Sequence, residues 1–123
     1  MVGSKVLFDT NILIDYLSGV VMAQTEIDSC LDRAVSVVTW MEVMAGTTPS
    51  DEQQIRAFLL TFGVLALTSE VAEQAVTLRR KRKIKLPDAI IQATAQIEDR
   101  LLITRNTRDF PSSDPDVRIP YKL

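Results

Sequence analysis

The most informative absence in this sequence of 123 residues is histidine, of which there is none. Without histidine the chain cannot use Ser/His/Asp or Cys/His catalysis, histidine general-base chemistry or most kinds of zinc site. The single cysteine, Cys30, has no partner for an intramolecular disulfide. An enzyme with this sequence would therefore depend on carboxylates, hydroxyls, amines or a metal ion that they bind.

Long hydrophobic runs are also missing. No apolar stretch approaches the ~18–20 residues that a membrane helix needs. After Lys5 only three apolar residues precede Asp9, which is unlike a signal peptide. A hydrophobic fraction of 46% and a charged fraction of 24% are typical of a soluble globular protein. We therefore expect residues 1–123 to form a single domain in the cytoplasm.

Compact apolar runs alternate with helical patterns along the chain. Strands are predicted at 6–8, 34–38, 64–67 and 100–104, with an edge strand at 117–119. Helices are predicted after Asp9, at 22–33, between 39 and 46, at 51–62, from 69 onward and at 86–97. This alternation is typical of an α/β fold with a parallel sheet.

Four acidic residues fall where a strand gives way to a helix, or in the first turns of a helix: Asp9, Glu42, Asp88 and Asp109. The carboxyl ends of parallel strands meet at one edge of a sheet, so these side chains should lie near one another. Each close pair would cost ~4 kcal/mol at an effective dielectric constant of about 20, unless a cation compensates. Oxygen ligands without histidine or thiolate favour Mg²⁺ or Mn²⁺.

Each of these acids also has a purely structural alternative. Asp9 suits the N-cap of the helix that follows it, and Thr39-x-x-Glu42 has the spacing of a capping box. Asp88 directly follows Pro87, where it would complement the positive end of its helix. The residues alone leave open whether the acids form one cluster or several independent caps.

Positive charge is concentrated in one segment, because six of the seven residues from Arg79 to Lys85 are basic. The chain has 14 basic and 16 acidic side chains, so the rest of it carries 8 against 16, a balance of −8. Such a local positive field favours the binding of a polyanion. The alternative is that these residues form the solvated end of a helix, where cations interact favourably with the helix dipole. The residues that would contact the phosphates of such a polyanion are Arg79, Arg80, Arg82, Lys83, Arg105 and Arg108.

Four short motifs follow one another along the chain: Phe8-Asp9-Thr10-Asn11; Thr39-x-x-Glu42 followed by Gly46; Pro87-Asp88-Ala89-Ile90-Ile91 with Ala93-Thr94-Ala95; and Thr104-Arg105-Asn106-x-x-Asp109-Phe110. In order and spacing they resemble the motifs of PIN-domain nucleases. Among these the whole chain is most similar to the VapC-type toxins of prokaryotic toxin–antitoxin pairs.

The resemblance implies a three-layer α/β/α fold. It also implies that the protein is an Mg²⁺- or Mn²⁺-dependent endoribonuclease that an antitoxin inhibits. It places Asp9, Glu42, Asp88 and Asp109 in a metal-binding catalytic cluster. The polar residues that would support this cluster are Asn11, Thr104 and Asn106. Gln92 departs from the family pattern, where alanine is more usual, and we expect it to narrow the cleft or to contact RNA.

Two other kinds of protein stay open at this stage. A phosphate-accepting receiver domain also has an acidic pocket at the edge of a parallel sheet, but Arg105 and Asn106 follow the fourth strand where such a domain would have a lysine. A non-catalytic module that binds RNA or protein is the other alternative. The predicted partners are RNA and a cognate antitoxin, with a homodimer left open.

Overall fold

The strands and helices alternate as the sequence predicts. The computed structural model describes residues 4–123, so residues 1–3 of the predicted domain lie outside the described residues. In the described range the elements are β1 (Lys5–Phe8), α1 (Thr10–Leu17), α2 (Val21–Asp28), β2 (Asp32–Ser36), α3 (Val37–Ala45), α4 (Glu52–Leu59), β3 (Gly63–Leu65), α5 (Ser69–Lys81), α6 (Leu86–Ile97), β4 (Leu101–Ile103) and β5 (Val117–Arg118). None of these helices is long and apolar enough to cross a membrane.

The five strands form one sheet in the order β3-β2-β1-β4-β5, and every recorded pairing is parallel. β1 lies at the centre, with Val6 opposite Arg33 of β2 on one side and Leu101 of β4 on the other. All strands therefore end at the same edge. The residues that follow β1 and β4 are neighbours there, because those two strands pair directly.

Helices cover both faces of the sheet. Alternate side chains of a strand point to opposite faces, so Val6 and Phe8 pack in one cluster with residues of α1, α2, α3 and α4. Leu7 points the other way, into a second cluster with Ile91 of α6 and Phe110. α5 packs outside, against α6. This arrangement confirms the predicted α/β/α layers around a parallel sheet.

The start of α3 differs from the prediction. The second strand was expected at 34–38, but β2 ends at Ser36, whose Oγ accepts a hydrogen bond from the N–H of Val38 at 3.1 Å. A serine cap at this point starts the helix three residues earlier than Thr39 would. The predicted capping box is therefore wrong, and Thr39 and Glu42 both lie inside α3.

Other boundaries differ as well, among them β3, which is Gly63–Leu65 rather than 64–67. α2 ends at Asp28 rather than Arg33, and the Oγ of Ser29 donates to the carbonyl of Glu26 at 2.8 Å. The helix predicted at 22–33 would place Met22 and Leu31 on its buried side, but both are exposed. α4 begins at Glu52, with Asp51 as its N-cap, and ends at Leu59, whereas the sequence predicts a helix at 51–62.

Candidate active site

Asp9 lies at the centre of the candidate site, between β1 and α1. Its side chain is only 3% exposed, and its N–H donates to the carbonyl of Ile103 at 2.9 Å. Oδ1 accepts from the N–H of Thr10 at 2.8 Å, which makes Asp9 the N-cap of α1. Oδ2 accepts from Thr104 Oγ1 at 2.7 Å and from Asn11 Nδ2 at 3.3 Å. The capping role and a place in a buried polar cluster are thus compatible.

The electrostatic environment of Asp9 disfavours its charged form. Burial raises the pKa of Asp9 to about 6, although the hydrogen bonds from Thr104 and Thr10 lower it. The negative charges of Asp88 and Glu42 raise this pKa further. At neutral pH most Asp9 side chains are ionised, but at a cost in free energy that a cation would relieve.

Asp88, in the first turn of α6, is also near other negative charges. Burial raises the pKa of Asp88, and the charges of Asp109 and Glu42 raise it as well. The four predicted acids come from four different elements or loops. The carboxylate of each one nevertheless lies close enough to that of at least one other for their negative charges to repel. The fold therefore brings all four predicted acids into one negatively charged region.

The spacing of these acids limits how a metal ion can bind. Among residues 4–123, no three cysteine, aspartate or glutamate side chains are close enough to hold an ion together. Mg²⁺ commonly keeps several water ligands and is bound by one or two carboxylates together with substrate phosphates. The oxygen-only donor set and the buried, disfavoured charge of Asp9 fit an ion of that kind.

The hydroxyl groups of Thr10 and Thr39, which the sequence did not assign to the site, lie between Asp9 and Glu42. Thr10 Oγ1 donates to Glu42 Oε1 at 2.6 Å and lies 3.0 Å from Thr39 Oγ1. Thr39 is fully buried. Thr10 is adjacent to Asp9 in the first motif, which is the signal that identifies it. The side chain of Glu42 is thereby fixed from α1, an element 32 residues away in sequence.

The predicted support residues lie together beside Asp9. Asn11 Nδ2 donates to Thr104 Oγ1 at 3.2 Å, and Asn11 Oδ1 accepts from the N–H of Arg105 at 3.2 Å. The N–H of Asn106 also donates to Thr104 Oγ1, at 3.0 Å. Thr104 is fully buried. These contacts fix the start of the loop that follows β4 against the N-terminal end of α1.

The same loop holds Asp109 through a reciprocal pair of hydrogen bonds. Asn106 Nδ2 donates to Asp109 Oδ2 at 2.9 Å, and the N–H of Asp109 donates to Asn106 Oδ1 at 3.2 Å. Asp109 is half-buried. Asn106 thus orients this carboxylate by the hydrogen bond that it donates.

The six predicted RNA contacts fall into two groups. Arg79, Arg80, Lys83 and Arg108 are exposed. By contrast, Arg105 makes a two-pronged contact with Asp15, at 2.7 and 2.9 Å, and Arg82 binds Gln92. RNA contact by all six stays a prediction. The four exposed side chains are accessible to a phosphate.

One cavity of the protein lies away from the four acids. It has a volume of about 300 Å³, and its lining includes Gln74, Gln92, Gln96, Arg100 and Asp116. None of the four acids lines it. We therefore assign the chemistry to the carboxylates at the carboxyl edge of the sheet rather than to this cavity.

Comparison with known proteins gives a consistent result. Residues 6–113 match the family model described as the PIN domain. Ribonuclease VapC10 of Mycobacterium tuberculosis is 32% identical over 114 residues, covering 86% of each chain. Ribonuclease VapC19 of the same species is 32% identical over 124 residues, covering 94% of this chain and 98% of its own. A chain of a toxin–antitoxin complex from Klebsiella pneumoniae is 46% identical, with a TM-score of 0.91, and the match covers 97% of this chain and all of that one.

Proposed function

The chain belongs to the PIN-domain family, and we propose that it is a ribonuclease toxin of a toxin–antitoxin pair, cleaving RNA phosphodiester bonds with the help of Mg²⁺ or Mn²⁺. The curated relatives are named as ribonucleases and share about a third of their residues with this chain. Because the chain belongs to this family, we no longer consider the alternative of a phosphate-accepting receiver domain. We further propose that residues 1–123 act as one domain on RNA in the cytoplasm.

One observation of the structure carries the proposal: the buried carboxylate of Asp9 lies within range of the negative charges of Asp88 and Glu42. Burial and the charges of Asp88 and Glu42 raise the pKa of Asp9 to about 6. Such accumulation of like charge is unfavourable in a structural role, because it costs folding free energy. It is favourable for a site that attracts a divalent cation and, through that cation, a phosphate.

We propose that the ion is bound by Asp9, Glu42, Asp88 and Asp109, one or two of them directly and the others through its water ligands. When bound, the ion supplies Lewis-acid stabilisation for the negative charge that develops on the phosphate. Thr104, Asn11 and Thr10 keep Asp9 and Glu42 in fixed orientations through the hydrogen bonds described above. Asn106 does the same for Asp109. Such partners tune how well a site binds its metal.

RNA would approach beside the basic segment. Arg79, Arg80 and Lys83 are exposed at the end of α5 and in the turn that leads to Asp88. Exposed cations next to an acidic site can bind the phosphates that flank the scissile bond. Single-stranded or looped RNA is the substrate class that we propose, because its backbone is accessible to a shallow site.

A protein partner is the second part of the proposal. The 46% identical solved chain comes from a structure described as a toxin–antitoxin complex. A ribonuclease that acts on its own cell's RNA requires inhibition until it is needed. We therefore propose that a cognate antitoxin binds this chain.

The test is an RNA cleavage assay with a matched pair of variants. Wild type should cleave RNA with Mg²⁺ or Mn²⁺ and stop in EDTA, and Asp88→Asn should abolish cleavage. The control is Asp99→Asn, which removes one exposed carboxylate just beyond the other end of α6. Asp99 has a φ of 53°, a conformation that asparagine tolerates. Equal cleavage by Asp88→Asn and Asp99→Asn at matched metal would refute the assignment of Asp88 to the active site. A wild type that cleaves no RNA with either metal would leave a non-catalytic binding module.

A further inference from the structure

We infer that Arg82 and Gln92 position Asp109, and that this Arg82–Gln92 pair determines how tightly the site binds its divalent ion. The inference rests on the proposed function, because it assigns Asp109 to the ion. It differs from the sequence prediction, in which Arg82 contacts RNA and Gln92 narrows the cleft or contacts RNA.

The side chain of Arg82 binds other residues of the protein. Arg82 follows α5 as its C-cap, and its N–H donates to the carbonyl of Leu78 at 2.9 Å. Nη1 donates to Gln92 Oε1 at 2.6 Å, and Nη2 donates to the carbonyl oxygen of Asp109. The guanidinium also lies over the ring of Phe110, 5.7 Å from its centroid. One side chain therefore binds α6 and the loop after β4 at the same time.

These contacts complete the restraint of Asp109. Its N–H is held by Asn106 Oδ1 and its carbonyl by Arg82. The next residue, Phe110, is fully buried in the core beside Ile91. The backbone on both sides of the Asp109 side chain is thus fixed, and with it the position from which the carboxylate projects.

Gln92 links this restraint to the helix that carries Asp88. It lies four residues after Asp88 on α6, so the two share one face of the helix. Its side chain is only 5% exposed, and its oxygen accepts the hydrogen bond from Arg82. Asp88 and Asp109 repel each other. The Arg82–Gln92 pair connects the two elements against that repulsion, so it holds the carboxylates near each other before the ion arrives.

The experiment compares Arg82→Lys, Gln92→Ala and the double variant with two controls. Arg82→Lys keeps the positive charge but loses the fork that binds Gln92 and Asp109 together. The controls are Arg56→Lys, at an exposed arginine of α4, and Gln96→Ala, at a glutamine that accepts a hydrogen bond from Gln74 outside the site. Mn²⁺ affinity is measured by isothermal titration calorimetry. Hydrogen exchange of residues 104–110 is measured separately, in EDTA.

We expect each single variant to weaken Mn²⁺ binding about tenfold, as the loss of a partner that orients a metal ligand commonly does. The double variant should be little weaker than either single one, because both remove the same connection. Exchange at Asp109 and Phe110 should be faster in these variants and unchanged in the controls. The salt dependence of RNA binding should stay as in wild type for Arg82→Lys.

Three results would overturn the inference. The first is an Mn²⁺ affinity in Arg82→Lys and Gln92→Ala equal to that of the controls. The second is additive losses, which would show that the two residues act separately. The third is unchanged exchange of residues 104–110 in EDTA. A wild type that binds no Mn²⁺ would instead refute the proposed function, and the exchange measurement would still decide whether the pair positions Asp109.

Discussion

Lowering the pH in EDTA should stabilise this protein between pH 8 and pH 5. The reason is Asp9, whose pKa rises from the ordinary value of 3.8 to about 6 when the chain folds, mainly because the side chain is buried. Between those two values the folded state holds a proton that the unfolded state releases. Folding stability from this group is therefore fully present below 3.8 and is lost as the pH rises through about 6.

The size of the effect follows from the pKa difference. A change of about two pH units in pKa corresponds to roughly 3 kcal/mol in total, of which about 1–2 kcal/mol is recovered on going from pH 8 to pH 5. For a domain of this size the melting temperature should rise by roughly 3–8 °C. Asp88 contributes in the same direction, because burial and the charges of Asp109 and Glu42 raise its pKa too.

Two other groups with a shifted pKa, Asp15 and Cys30, titrate outside the range from pH 5 to pH 8. Burial raises the pKa of Asp15, but the hydrogen bonds from Arg105 and Tyr121 outweigh it, and the net pKa lies below the usual 3.8. The stability that this ion pair contributes is lost only at a more acidic pH. Burial raises the pKa of the Cys30 thiol above its usual 9.0, so the thiol stays protonated up to pH 8.

The assay is thermal and urea unfolding of wild type, Asp9→Asn and Asp99→Asn in EDTA at several pH values. Asp9→Asn should flatten most of the pH dependence, and Asp99→Asn should retain the slope of wild type. Adding Mg²⁺ or Mn²⁺ should stabilise wild type more at pH 8 than at pH 5, because protons and the ion compete for the same carboxylates. Wild-type stability that is flat or declines from pH 8 to pH 5 would refute the description of Asp9 as a buried, disfavoured charge.

Three further predictions test other parts of the structure. Asp88→Asn should raise the melting temperature in EDTA by relieving repulsion and should gain less than wild type from Mn²⁺; lower stability in EDTA, by ~0.3–1 kcal/mol, would indicate a helix-dipole role instead. Replacing Arg79, Arg80 and Lys83 by alanine should weaken RNA binding and reduce the slope of log affinity against log salt by roughly 2–3, measured by fluorescence anisotropy; an unchanged slope would exclude phosphate contacts. Asp15→Ala should cost ~2–4 kcal/mol in urea unfolding because it leaves its arginine and tyrosine partners unpaired, and a loss below 1 kcal/mol would show that water replaces those bonds.

The sequence by itself determined the features that depend on local pattern. Pro87 near the start of an apolar helical pattern predicts α6 at 86–97, and the structure has the helix at Leu86–Ile97. The strand runs around Leu7 and Leu102 are short and apolar, so they predict parallel strands whose carboxyl ends share one edge. The structure buries both runs and pairs them directly. The four motifs in order were enough to identify the family, because their spacing reflects that edge.

Tertiary structure alone decided what each polar side chain binds. Ser36 rather than Thr39 caps α3, and Glu42 receives its hydrogen bond from Thr10. Arg82 binds the carbonyl of Asp109, 27 residues away, and Arg105 binds Asp15, 90 residues away. Hydrophobic periodicity specifies which face of an element is buried, but it contains no information on which distant partner a long, flexible arginine will meet. That choice depends on how helices pack across the sheet, and so it appears only in the folded chain.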